Sequence, residues 1–255
     1  MGCFDEQVTD VARFIKGLDE SGRPVKELSP EPGGTDPAAA PPFLVGPGAG
    51  SGLVLKSDTF AELGSPAEGS CAFALYTNDP SLVRDGRVRL VGPDIPEIGS
   101  KTVPFGQVIL AAGNDLDERD YRPLAESQYV GDRIEGFMVK STPGRLWCRV
   151  SNDVAARGFD FRFLGSALIR LVKEQVPAAE SVEVIFVTSG REELRRMGEI
   201  ESRASGVARE IKTRVWKEKG IDIDSCPLSG HCGACKDKEV CDEVKKMMHG
   251  RKRVS

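Results

Sequence analysis

Apolar residues recur at three- and four-residue spacing from Val8 through Val11, Phe14 and Ile15 to Leu18, and Ser21-Gly22 follows them. That spacing predicts a short amphipathic helix that docks by one face and stops at the glycine. From Ser57 to Ser189 the pattern changes to short apolar runs. Those at Cys71 to Tyr76, Val88 to Val91, Gln107 to Ala112, Leu146 to Val150 and Val182 to Val187 predict strands. Between them, Asp120 to Ile134 carries Tyr121, Leu124, Tyr129 and Ile134 at helical spacing. Phe161 to Val176 does the same with Phe163, Leu164, Ala167, Leu168, Leu171 and Val172, and Pro177 ends it. Strands alternating with helices predict an α/β domain, a mixed sheet with helices packed on it. Cys71 and Cys148 fall inside strand-like runs and are expected to be buried structural cysteines.

A long helix is expected next. Ser189 and Glu192 stand at capping-box spacing, and Leu194, Met197, Ile200, Ala204, Val207, Ile211 and Val215 form one stripe that closes before Gly220. Its charged residues form a solvated face. Residues 28–56 contrast with all this, because prolines and then Gly46, Gly48, Gly50 and Gly52 dominate. Such a stretch reads as linker. The glycines do not meet the i, i+2, i+5 rule of a dinucleotide loop, since Ser51 or Leu53 stands at the third position, and no Gly-Lys-Ser/Thr follows. The expected organisation is an N-terminal helix over 1–27, the linker over 28–56, an α/β domain over 57–220 and a cysteine-rich segment over 221–255.

Composition sharpens the picture at two points. The chain has 255 residues, 40% hydrophobic and 29% charged, with 35 Lys+Arg against 39 Asp+Glu. It can therefore build a core, and its acidic balance (pI ≈ 5.5) argues against nucleic acid as a partner. No apolar run approaches the ~18 residues of a spanning helix, and the first residues lack the charged and apolar regions of a secretory signal. Glu6 also spoils a myristoylation motif at Gly2. A cytosolic location with no membrane partner is expected.

The second point is the cysteines. Of seven, Cys226, Cys232, Cys235 and Cys241 fall within sixteen positions in a C-x5-C-x2-C-x5-C pattern. In a reducing compartment this spacing points to metal rather than disulfides. Four thiolates satisfy either a four-iron–four-sulfur cubane or a tetrahedral zinc ion. Structural zinc usually takes two close ligand pairs, and here only Cys232 and Cys235 form one. Pro227, Gly230 and Gly233 let backbone N–H groups approach cluster sulfurs. The spacing therefore favours the cubane, with zinc or redox thiols as alternatives. His231 is an orienting or solvent-facing neighbour. The tail Arg251-Lys252-Arg253 is a solvated terminus, with an acidic partner as the sharper alternative.

Several motifs in the middle of the chain carry a resemblance. Glu62-Leu63-Gly64-Ser65-Pro66, Gly69-Ser70-Cys71-Ala72-Phe73, Asp85-Gly86-Arg87-Val88, Val91-Gly92-Pro93-Asp94-Ile95, Gly136-Phe137-Met138, Trp147-x-Arg149-Val150-Ser151 and Gly158-Phe159 with Gly165 come in this order. Over roughly residues 57–215 the chain resembles the middle domain of acetyl-CoA synthase, the β subunit of the carbon monoxide dehydrogenase/acetyl-CoA synthase complex. The resemblance implies a place in one-carbon and acetyl-CoA metabolism of anaerobes, and a protein partner in such a complex or a redox partner. It also implies coenzyme A near Trp147, Arg145 and Arg149. The family's larger members carry a nickel–iron–sulfur centre that needs a Cys-Gly-Cys pair besides four cubane cysteines. Cys232-Gly233-Ala234-Cys235 does not supply that pair, and the family's large N-terminal domain has no counterpart among these residues. Three functions stay open: an accessory or divergent iron–sulfur protein, a minimal CO-methylating acetyl-CoA synthase with nickel, and a zinc-stabilised interaction module.

Overall fold

The computed structural model describes residues 3–28, 43–50, 52–99, 101–142 and 145–218. Residues up to Ser205 form one compact unit, and residues 206–255 are assigned to a second. The four clustered cysteines and His231 lie outside the described residues. No helix among the described residues is long and apolar enough to cross a membrane.

Nine strands and six helices build the described chain. The strands are β1 (Val25–Glu27), β2 (Thr59–Leu63), β3 (Ser70–Thr77), β4 (Val88–Val91), β5 (Thr102–Val103), β6 (Phe105–Ala112), β7 (Phe137–Thr142), β8 (Arg145–Ser151) and β9 (Ser181–Val187). The helices are α1 (Asp5–Glu20), α2 (Ile95–Ile98), α3 (Glu118–Glu126), α4 (Asn152–Ala156), α5 (Phe161–Gln175) and α6 (Arg191–Glu218). The strands form two sheets where one was expected. The larger has the order β1-β4-β9-β6-β3, and the smaller β5-β2-β8-β7.

The larger sheet is mixed. β3 pairs parallel with β6 and β4 with β9, whereas β6 and β9 run antiparallel. All eight residues of β6 are buried. A strand covered on both faces reads as a continuous apolar run, which is why this one was legible in the sequence. The register shows what covers each face. Gly106, paired with Val187, faces α6, and an added Cβ there would lie 2.7 Å from the Met197 sulfur. Val88, paired with Val184, faces the opposite way, against Gly165 of α5. Helix α1 shares the α6 face. Its Val8, Val11, Phe14, Ile15 and Leu18 are buried as their spacing predicts, and Asp10 accepts from Arg203 of α6 at 2.6 Å. The apolar stripe of α6 is likewise buried at Leu194, Met197, Ile200, Ala204 and Ile211. Phe105, Phe161 and Phe186 tie β6, α5 and β9 together, with the closest ring centroids 4.7 Å apart.

Two expectations need correction. The segment from Asp120 to Ile134 is not one helix: α3 starts at Glu118 and ends at Glu126, and a 3-10 turn takes over from Ser127 to Arg133. Helix α6 opens at Arg191, so Gly190 rather than Ser189 stands at the cap, and Glu193 rather than Glu192 is the third helical residue. Glu192 instead pairs with Arg195 at 2.7 Å, and the buried Glu193 pairs with Arg23 of the segment after α1.

The smaller sheet has one buried and one partly open face. Leu63, Leu146, Cys148 and Val150 point inward and are fully buried, whereas Glu62, Trp147 and Arg149 alternate with them on the other side. Gly64 ends β2 at a φ of +68°, and a Cβ there would stand 2.3 Å from the Leu146 carbonyl oxygen. Only glycine lets the turn into β3 lie this close to β8.

Among the described residues, all the buried apolar side chains except Ile211 precede Ser205. A chain ending before Ser225 should be soluble and unfold cooperatively without metal, because a domain of ~150 residues already buries about 68–70% of its unfolded surface. Thermal unfolding followed by circular dichroism checks this. A chain without a cooperative transition would show that folding depends on the metal segment.

Candidate functional site

The turn between β2 and β3 is anchored at both ends. Gly64 N–H donates to the Val103 carbonyl at 2.8 Å, and Gly69 N–H to the Ser65 carbonyl at 2.8 Å. The Ser70 hydroxyl accepts from Leu146 N–H at 3.0 Å, which fixes the turn to β8. A cleft of ≈ 590 Å³ opens beside this turn. Gly64, Ser65, Pro66, Gly69 and Ser70 form one wall, and Lys140, Arg145 and Trp147 form the other. Its volume is in the range of small-molecule sites.

Period-two alternation along β8 puts Arg145, Trp147 and Arg149 on one face. Trp147 stands directly opposite Lys140 of β7, and Glu62 opposite Arg149. The indole is half-buried, and its N–H donates to Glu62 Oε1 at 2.9 Å. The same oxygen accepts from Arg149 Nε at 3.0 Å, while Glu62 Oε2 accepts from the Thr102 hydroxyl at 3.2 Å. Arg149 also donates to the Val54 carbonyl at 3.2 Å, and its guanidinium lies 4.9 Å from the indole centroid. Lys140 Nζ lies 5.1 Å from that centroid. Two cations therefore contact one aromatic ring, an arrangement favoured by the ring quadrupole.

The charges are unequally compensated. Burial alone would push the Glu62 pKa up, but hydrogen bonds from Arg149, Trp147 and Thr102, with the guanidinium charge, hold it below the usual carboxylate value. The network is therefore intact above the ordinary carboxylate range and is lost only as pH falls through the depressed value. Arg149 is committed to Glu62. Lys140 and Arg145 are exposed at the cleft and have no carboxylate partner among the described residues. Two uncompensated cations beside an aromatic face favour an anionic ligand with a flat group.

Of the three residues implied by the resemblance, Trp147 and Arg145 thus line one cleft, whereas Arg149 stands beside the ring and outside the lining. Glu62, Lys140 and the Ser65–Ser70 wall were not singled out by their chemistry. Glu62 through Pro66, and Gly69 with Ser70, lay within quoted motifs without an assigned role. Lys140 had no signal at all, since β7 does not alternate clearly. Among the described residues no group of three or more His, Cys, Asp or Glu could hold a metal. Cys71 and Cys148 are buried as expected, and burial pushes the Cys71 thiol up to about 12 and raises Cys148 as well. Neither is a ready thiolate.

A doubly covered mixed sheet, with a smaller sheet bearing a cation-flanked tryptophan beside a cleft, defines an α/β class of domain. The chain belongs to the CO dehydrogenase/acetyl-CoA synthase complex beta subunit family, whose model matches residues 42–193. It is 30% identical over 187 residues to the acetyl-CoA decarbonylase/synthase complex subunit beta 2 of Methanosarcina thermophila, covering 71% of this chain and 38% of that one. It is 32% identical over 197 residues to the corresponding beta subunit of Methanopyrus kandleri, covering 74% of this chain and 40% of that one. The chain thus spans about two-fifths of the length of these curated relatives.

Proposed function

We infer that the chain is an accessory iron–sulfur protein of one-carbon and acetyl-CoA metabolism that binds coenzyme A on its α/β domain and works beside a carbon monoxide dehydrogenase-type complex. The observation that carries the ligand reading is Trp147 at one cleft with Lys140 and Arg145, which no carboxylate pairs among the described residues, in a chain of this family. Coenzyme A offers what such a site recognises: an adenine for the indole face and phosphates for the two cations. Metal binding is supported by donor chemistry. With Cys71 and Cys148 buried in strands, the thiolates of Cys226, Cys232, Cys235 and Cys241 are a complete set for a cubane, which would supply electron transfer. The same count supports the accessory role over the synthase. Four thiolates saturate the cubane, and no Cys-x-Cys remains for a second metal.

Trp147→Ala should weaken coenzyme A binding about 5- to 150-fold, since stacking one base on an aromatic side chain contributes roughly 1–3 kcal/mol. Titration calorimetry on the purified chain measures this. Equal affinity of Trp147→Ala and wild type would remove the site from consideration. Production of acetyl-CoA from carbon monoxide, a methyl donor and coenzyme A, rising with nickel content, would replace the accessory role with the synthase.

A further inference from the structure

Glu62 is the only carboxylate bonded to Trp147 among the described residues, and it acts on two partners through one oxygen. Its side chain is 18% exposed and that of Arg149 is 12% exposed, so their charge-assisted bond is largely screened from bulk water. The indole N–H bond fixes the ring's rotation about its long side chain. The Arg149 bond places the guanidinium against the ring and neutralises it. Thr102, from the neighbouring strand β5, holds the second carboxylate oxygen and so stops the carboxylate from turning.

We propose that Glu62 is the positioning residue of this site: it locks Trp147 as a rigid shelf and withholds Arg149 from the ligand, leaving anion binding to Lys140 and Arg145. The proposal rests on the coenzyme A reading for its ligand, but its effect on the indole is independent of any ligand. A preorganised ring avoids the entropy loss that a freely rotating side chain suffers on stacking. Without the carboxylate, the indole N–H would lose its acceptor and Arg149 would become a third free cation.

The test uses the full chain carrying Trp216→Phe, which leaves Trp147 as the single tryptophan. In Glu62→Gln the shape is kept and the charge is removed. In Glu62→Asp the charge is kept and the reach is shortened by one methylene. Acrylamide quenching of Trp147 in the ligand-free protein should rise about twofold in Glu62→Gln, with faster anisotropy decay, because a neutral amide oxygen holds the indole N–H less firmly than a carboxylate does. The dissociation constant for coenzyme A should rise about tenfold, with a steeper salt dependence from the released Arg149. Glu62→Asp should show the same rise in quenching without the change in salt dependence. Melting temperatures accompany each measurement, so that a folding defect is seen directly. Quenching and anisotropy that stay at the wild-type values in both variants overturn the proposal, whatever happens to stability. If the wild-type chain fails to bind coenzyme A at all, the ligand reading fails, and the indole measurements alone decide the role of Glu62.

Discussion

Cys232→Ala should cost the reconstituted chain most of its iron, on the proposed cubane. After anaerobic reconstitution the wild-type protein should carry about four irons and absorb broadly in the visible, because each iron of a cubane takes one thiolate. Removing one ligand leaves an open corner, and Cys232 belongs to the one close pair in the cluster, so the loss should exceed half the iron. Cys71→Ala should leave the iron content unchanged, since that thiol is buried in β3 with its pKa pushed up to about 12. Iron and sulfide analysis with absorption spectroscopy is the measurement. Equal iron in Cys232→Ala and wild type would refute the assignment, and one tightly held zinc per chain would replace the cubane with a structural ion.

Gly64→Ala should lower the melting temperature by roughly 5–15 °C, corresponding to about 2–4 kcal/mol for a unit of this size. Two effects act together there. The φ of +68° is strained for any residue with a Cβ, and that Cβ would stand 2.3 Å from the Leu146 carbonyl oxygen and 2.8 Å from the Ser70 Cβ. Relief requires β8 to move away from the turn, carrying Trp147 with it. Gly198→Ala is the matched control. It sits inside α6 with nothing within 4 Å of an added Cβ, so it should stabilise the protein by about 0.5–1 kcal/mol. Opposite signs for the two glycines would show that local geometry, rather than glycine content, governs the effect. Equal small shifts would contradict the close approach.

The site was legible only in part, and the reason differs from residue to residue. Trp147 and its two arginines stood out because the family resemblance implies coenzyme A near them. Glu62 lies 85 positions from Trp147 along the chain, and nothing local marks it as that residue's partner. Lys140 is brought to the ring by the β7–β8 register alone. The small sheet was mostly missed for the same reason. Strands β2, β5 and β7 are short or half exposed, and strand preference in such segments depends on their neighbours more than on their own residues.

By itself the sequence determined the buried framework: the runs that became β3, β6, β8 and β9, the helical stripes of α1, α5 and α6, the family resemblance and the spacing of the cysteines. These are properties of periodicity and composition within a window of about a dozen residues, where burial on one or both faces dictates the pattern. The tertiary structure alone decided that there are two sheets, that Gly64 closes against Leu146, and that Glu62, held by Thr102, meets Lys140 and Arg149 around one indole. Those contacts join strands distant along the chain, so they exist only once pairing register has been set, and register follows from the packing of the whole core.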